Sequence, residues 1–142
     1  MENRILNGDI LEHLKNPKYI LNTLKTLLKE DGLLYISVPN IAFLTNRLLY
    51  LQGKFEYTNI GIMDDSHLRF FTKSSILGLA KSVGLKIIRI DYVGNFTQLP
   101  LYMKLFYPIL GEKKWWRIFE YKLSGLWPEG LAVQFLLICK KR

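Results

Sequence analysis

Leu33 to Val38 is a nearly unbroken apolar run, with Asp31-Gly32 before it and Pro39-Asn40 after it. Between such breakers a run this short reads as a strand, and its lack of alternation marks a parallel strand covered on both faces. A strand of that kind requires helices to cover it, so the flanking segments must supply them. They have the right pattern. Ile20, Leu21, Leu24, Leu27 and Leu28 recur at three-and-four spacing, which predicts a helix from Pro17 to about Glu30 capped by Asn16. Gly32 would end it in the left-handed C-cap conformation.

The rest of the chain continues the alternation. Asn40 predicts the cap of a second helix through Gln52, with Ile41, Leu44, Leu48 and Leu51 on its buried side and Gly53 as its stop. Thr72 predicts the cap of a third, burying Ile76, Leu79, Ala80 and Val83 and ending at Gly84. Arg4 to Ile10, Leu85 to Val93 and Leu131 to Cys139 read as further strands, so the fold class is α/β. Lys54 to Phe71 shows neither period and is dense in polar groups, as a loop over a site would be. Residues 95–130 form an insertion within a single domain of 142 residues; the stretch between the last two strands holds all three tryptophans among basic residues. Trp115, Phe119 and Leu123 predict an amphipathic helix from Glu112 to Ser124, with Pro100, Pro108 and Pro128 punctuating its surroundings. It is open to two readings: a lid packed on the sheet, or an interfacial helix whose Lys113, Lys114, Arg117 and Lys122 meet anionic lipid.

The first strand runs into Gly8-Asp9-Ile10-Leu11-Glu12-His13-Leu14, followed by Lys15-Asn16-Pro17. It therefore delivers Asp9, Glu12 and His13 to its own carboxyl end, where open α/β sheets bind ligands. Gly8 would let a ligand approach the backbone or relieve a turn. Glu12 would orient an imidazole or hold a substrate hydroxyl, or favour the coming helix through its dipole. Asn40 follows the next strand and faces the same cleft, although capping alone would account for it. Arg69 would take a substrate carboxylate or phosphate, or pin the loop by pairing with Asp64 or Asp65, and the pin is the simpler role.

Asp9 to Leu14, with Pro17 close behind, resembles the fourth strand and following turn of class I S-adenosylmethionine-dependent methyltransferases, in the group that includes the ubiquinone-biosynthesis O-methyltransferases. The resemblance continues through Asp31 to Asn40, Gly53-Lys54-Phe55-Glu56-Tyr57, and Asp64-Asp65-Ser66-His67-Leu68-Arg69-Phe70-Phe71-Thr72. It implies a partial Rossmann-like sheet made of strands four to seven of the family fold, with Leu131 to Cys139 inserted antiparallel between the second strand and Leu85 to Val93. It implies S-adenosylmethionine as cofactor beside Gly8, Asp9 and Ile10. The substrate would be a small or lipid-linked acceptor held by Asn40, Asp64 and Arg69, and methylated on oxygen. Removing the hydroxyl proton needs a base, for which His67 leads because imidazole titrates near neutrality, with His13 and Glu12 behind it. No metal is expected, since Glu12, His13, Asp64, Asp65 and His67 match no recognised ligand spacing.

In that family the cofactor rests mainly on a glycine-rich turn and an acidic residue N-terminal to this motif, and no G-x-G-x-x-G run occurs here. The chain thus resembles the C-terminal half of a methyltransferase. Such a half would bind cofactor poorly by itself. It would also leave the first strand's edge open to a complementary N-terminal half or a second copy. The rival reading is a catalytically inactive interaction module or partner subunit that uses this edge.

Composition narrows the remaining classes. The formal charge of +8 is scattered, and no nucleic-acid motif accompanies it, so no nucleic-acid partner is expected. A single cysteine, Cys139, excludes an intramolecular disulfide and suits a reducing, cytoplasmic setting, with peripheral membrane contact if the tryptophan segment is interfacial. No apolar stretch approaches the ~18 residues needed to span a bilayer. Neither Ser37 nor Cys139 sits in a nucleophile elbow, so no hydrolase is indicated.

Overall fold

The computed structural model describes residues 3–94, 104–105, 107–110 and 113–141. Within them the chain runs β1 (Arg4–Gly8), a single 3-10 turn (Leu11–His13), α1 (Pro17–Leu27), β2 (Leu33–Pro39), α2 (Leu44–Leu51), α3 (Lys73–Ser82) and β3 (Leu85–Val93). There follow α4 (Tyr107–Leu110), α5 (Lys114–Leu126), α6 (Pro128–Leu131) and β4 (Gln134–Lys141). Of the 95–130 insertion, residues 95–103, 106 and 111–112 lie outside the described residues, and with them Pro100 and the expected helix start at Glu112. Arg142 lies outside as well.

The four strands form one sheet in the order β1-β2-β4-β3. β1 and β2 are parallel, with Ile5 opposite Leu34 and Gly8 opposite Ser37. β4 lies antiparallel between β2 and β3, with Ile36 opposite Leu137 on one side and Ile90 opposite Leu137 on the other. This is the order that the family resemblance implied. Among the described residues β1 pairs only with β2, so its outer edge is open.

Burial alternates along the two central strands, which corrects the expectation that the sheet is covered on both faces. Leu34, Ile36 and Val38 of β2 and Phe135, Leu137 and Cys139 of β4 are fully buried, while the residues between them are half-buried. The buried set packs with Leu21 and Leu28 and with Ile76, Ala80 and Val83, so α1 and α3 close one core on one face. A large aliphatic side chain buried there contributes about 1.5–3 kcal/mol. A second, smaller cluster joins Phe43 and Ile62 to Trp116, Leu123, Leu131 and Val133.

Several local expectations are met and others corrected. Thr72 caps α3 in a reciprocal box with Ser75, and Gly84, at φ +74°, ends the turn that follows. α1 ends at Leu27 rather than Glu30, and Gly32 does not adopt the left-handed conformation. Leu28 is already extended there, and it carries its side chain into the core. α2 starts at Leu44 with Phe43 as its N-cap, because the Asn40 side-chain Oδ1 takes the Ala42 amide in a local turn instead of capping a helix. Asn46, whose amide donates to the Ile41 carbonyl, is then the buried residue of α2, and Leu48 and Leu51 point outward. α5 turns Trp116, Glu120, Leu123 and Ser124 inward instead of Trp115 and Phe119. The cause is the close seat of α5 on β3: a Cβ on Gly94 would lie 2.5 Å from the Glu120 carbonyl oxygen. The Ser124 hydroxyl also donates to the Tyr92 carbonyl at 3.1 Å.

Candidate active site at the carboxyl end of β1

The unusual backbone of the β1 exit falls on Asp9, at φ 49°, and not on Gly8. Asp tolerates the left-handed region better than most residues, and the kink turns the chain out of the sheet. Leu11, fully buried, then anchors the 3-10 turn in the core. Glu12 and His13 follow on that turn, beside a cleft of about 310 Å³ bordered by Asp9, Glu12, His13, Asp64, His67 and Gln134.

The loop from Lys54 to Phe71 is held over this turn by its backbone. The amides of Leu68 and Arg69 both donate to the Glu12 carbonyl, at 2.7 and 2.8 Å. Asp64 accepts from the Ser66 amide at 2.9 Å and from the Ser66 hydroxyl. Those two bonds, the hydroxyl first, hold the Asp64 carboxyl below its ordinary range. Arg69 does pin the loop, but through Lys15: its guanidinium donates to the Lys15 carbonyl at 2.8 Å, with no ion pair to Asp64 or Asp65. Loop and turn are therefore tied together through the Glu12 and Lys15 carbonyls.

This docking brings His67 to Glu12 and His13. The His13 and His67 rings meet edge to face at 4.8 Å between centroids, and the ligand atoms of Glu12, His13 and His67 all lie within 4.8 Å of one another. Each imidazole has its Nδ1 against a backbone carbonyl, His13 on Ser66 at 3.2 Å and His67 on Ile62 at 3.1 Å. A carbonyl only accepts, so each neutral ring carries its proton on Nδ1 and keeps a lone pair on Nε2. Glu12 is 1% exposed, and neither carboxylate oxygen has a hydrogen-bond partner among the described residues. Burial is the main cause of its raised pKa, with a smaller contribution from Asp9, against lowering effects led by its own backbone amide and followed by the two histidines.

A second polar group stands beside this one. Asp9 Oδ1 accepts from the Ser37 hydroxyl at 2.7 Å and from Gln134 Nε2 at 2.6 Å, tying the ends of β1, β2 and β4 together. Ser37 and Gln134 were not among the residues that the sequence singled out for the site. Their signal is that each is an uncharged polar residue within an apolar strand, near the end that faces the cleft.

The other expected residues are distributed unevenly. Gly8 and Ile10 adjoin the kink, and the space where a Gly8 Cβ would stand is open for 4 Å. Asn40 is fully buried, and its amide donates to the carbonyls of Glu129 and Ala132 at 3.1 and 2.7 Å. It braces the entry to β4 and borders a neighbouring cleft with Arg47 and Lys73, rather than the one at Glu12.

Comparison with solved structures shows the fold. The chain aligns over 98% of its length with a SAM-dependent methyltransferase from Archaeoglobus fulgidus, at 13% identity and a TM-score of 0.55, and spans 59% of that chain. Over 99% of its length it aligns with the small RNA methyltransferase HEN1, at 16% identity and TM-score 0.59, spanning 14% of that chain. Over 98% of its length it aligns with the [4+2]-cyclase SpnF, at 13% identity and TM-score 0.52, spanning 49% of that chain. The SpnF match shows that the sheet alone does not specify methyl transfer. No curated protein sequence matches the chain. The family assignment rests instead on a sequence match, described as a methyltransferase domain, that covers residues 4–90. With more than half of its length matched in this way, the chain belongs to the methyltransferase domain family.

Proposed function

We propose that this chain forms the acceptor side of a class I S-adenosylmethionine-dependent methyltransferase that methylates a hydroxyl of a small or lipid-linked acceptor. The observation that carries the reading is the meeting of Glu12, His13 and His67 at the carboxyl end of β1, in a chain of this family. When bound, S-adenosylmethionine supplies a methyl group on a sulfonium. Gly8, Asp9 and Ile10 would border it where β1 opens into the cleft, and the open space beside Gly8 suits such an approach.

Transfer of that methyl group to the acceptor oxygen would require the hydroxyl proton to leave. His67 Nε2 takes that proton, because its Nδ1 is already committed to the Ile62 carbonyl. The imidazolium that results lies beside the Glu12 carboxylate, whose charge offsets it in a buried setting. Asp64, which borders the cleft, would hold the rest of the acceptor, while Arg69 stays committed to the Lys15 carbonyl. His67→Ala in an active enzyme should lower turnover while cofactor affinity holds; an equal loss in both would assign His67 a structural role.

The same three groups support a second reading through one observation, the buried Glu12 carboxylate without a partner. Two Nε2 lone pairs and one carboxylate make a donor set suited to a divalent cation such as Mn²⁺ or Zn²⁺, and the Nδ1-to-carbonyl bonds are the outer support that metal-binding histidines ordinarily have. A bound cation would polarise the acceptor hydroxyl. Titration calorimetry with Mn²⁺ tests this: one site lost in Glu12→Gln supports it, and no heat, or heat unchanged by that substitution, refutes it.

The open edge of β1 suits a complementary N-terminal half or a second copy. Titration with S-adenosylhomocysteine, preceded by sizing, separates the cases. Micromolar binding, about 8 kcal/mol, by the chain alone means that self-association or another site supplies the missing cradle. No binding from a folded chain makes it a fragment or a partner subunit.

A further inference from the structure

The outer face of α5 is apolar where a surface helix is ordinarily polar. Trp115, Phe119, Lys122 and Leu126 fall at i, i+4, i+7 and i+11 of one side, with Ile118 beside them, while the inward side carries Glu120 and Ser124. Trp115 is 57% exposed and Leu126 81%. Ile109 of α4 and Leu105 add to the exposed apolar surface of the same insertion. The orientation of α5 is fixed by the Gly94 contact and the Ser124 hydrogen bonds, so rotation cannot hide the apolar side.

Charge identifies what covers this face. Lys104, Lys113, Lys114, Arg117 and Lys122 are all exposed, whereas Glu120, the one acidic residue among the described residues 104–127, is buried. Two copies of the chain meeting through this face would set cation against cation. Nucleic acid would leave the apolar stripe wet. An anionic lipid surface satisfies both: tryptophan and tyrosine favour the headgroup boundary, and lysine and arginine stems reach along it to phosphates. No helix among the described residues is long and apolar enough to cross a membrane.

We infer that α5 lies in the plane of an anionic membrane, with Trp115, Ile118, Phe119 and Leu126 immersed at the headgroup boundary and Lys114 and Lys122 against lipid phosphates. The proposal stands apart from the chemistry of the Glu12 cleft. Its test is co-sedimentation with vesicles of phosphatidylcholine alone and of phosphatidylcholine with a quarter phosphatidylglycerol, at low and physiological salt. The expected result is binding to the anionic vesicles that weakens with salt. It should fall roughly fivefold for each of Lys114→Gln and Lys122→Gln, and disappear in Trp115→Ala/Phe119→Ala. These side chains are exposed, so the variants keep their far-ultraviolet circular dichroism. Equal partition of the wild type and the double variant overturns the inference, as does the absence of binding to anionic vesicles. A dimer without vesicles that the double variant abolishes would overturn it in favour of a second copy.

Discussion

The isosteric change Glu12→Gln tests the energetic state of the site most directly. The carboxylate is buried and both oxygens lack partners among the described residues, and an unsatisfied buried polar group costs about 1–3 kcal/mol, more when it is charged. The substitution leaves an amide to satisfy but removes the charge, so its gain is the difference between the two, about 1–2 kcal/mol. The sign with pH follows from the raised pKa of Glu12. The folded state holds the proton more tightly, so wild-type stability is fully present below the ordinary carboxylate range and is lost as pH rises through the folded value. The variant lacks this titration. Urea denaturation should therefore find the two proteins alike at about pH 4 and Glu12→Gln the more stable at about pH 8. With a slope of about 2 kcal/mol per molar urea, the midpoint moves by about 0.5–1 M. A divalent cation at a hundredfold excess over its dissociation constant should add about 2.7 kcal/mol to the wild type alone. A Glu12→Gln protein less stable at pH 8, or a gap that does not change with pH, would refute the reasoning, because the carboxylate would then have a favourable partner.

Other perturbations probe separate parts of the molecule. Leu137→Ala, at the centre of the core, should cost about 2–5 kcal/mol in the same denaturation assay, where a loss under 1 kcal/mol would mean the site collapses freely. Thr72→Ala removes one half of the α3 capping box and should cost about 1 kcal/mol. Gly84→Ala forces a side chain into φ +74° and should cost about 1–2 kcal/mol; a neutral result would show that the turn can change conformation cheaply. The Cys139 thiol, pushed up to about 11 by burial, should react with a thiol reagent at pH 8 only after unfolding, and rapid labelling of the native chain would contradict its burial.

The fold is largely legible in the sequence because glycine and proline interrupt runs of clear periodicity. The strands begin and end within a few residues of the positions their apolar runs imply, and Thr72 and Gly84 act locally, with signals that need no tertiary partner. Asn40 misleads for the opposite reason. As a helix cap and as a buried brace it has the same local appearance, and its bonds to Glu129 and Ala132 come from a segment far along the chain. The face of α5 is equally hidden, since it depends on a glycine at the end of β3. Within the site, Glu12 and His13 are legible from their place after a strand. The approach of His67 is not, because it follows from two backbone amides donating to the Glu12 carbonyl, and backbone bonds leave no mark in side-chain spacing.

The position of β4 bears on how the molecule comes into being on the ribosome. β4 is the last of the four strands to be synthesised, yet it holds the place between β2 and β3, and β3 pairs with no other strand among the described residues. Until it emerges, β2 has one partner and β3 none, so the edges that β4 will cover stay exposed while the segment between β3 and β4 is made. Closing the sheet then joins Ser37 to Leu136 across a long intervening chain, a slow step by the rule that distant pairings cost loop entropy before they reward it.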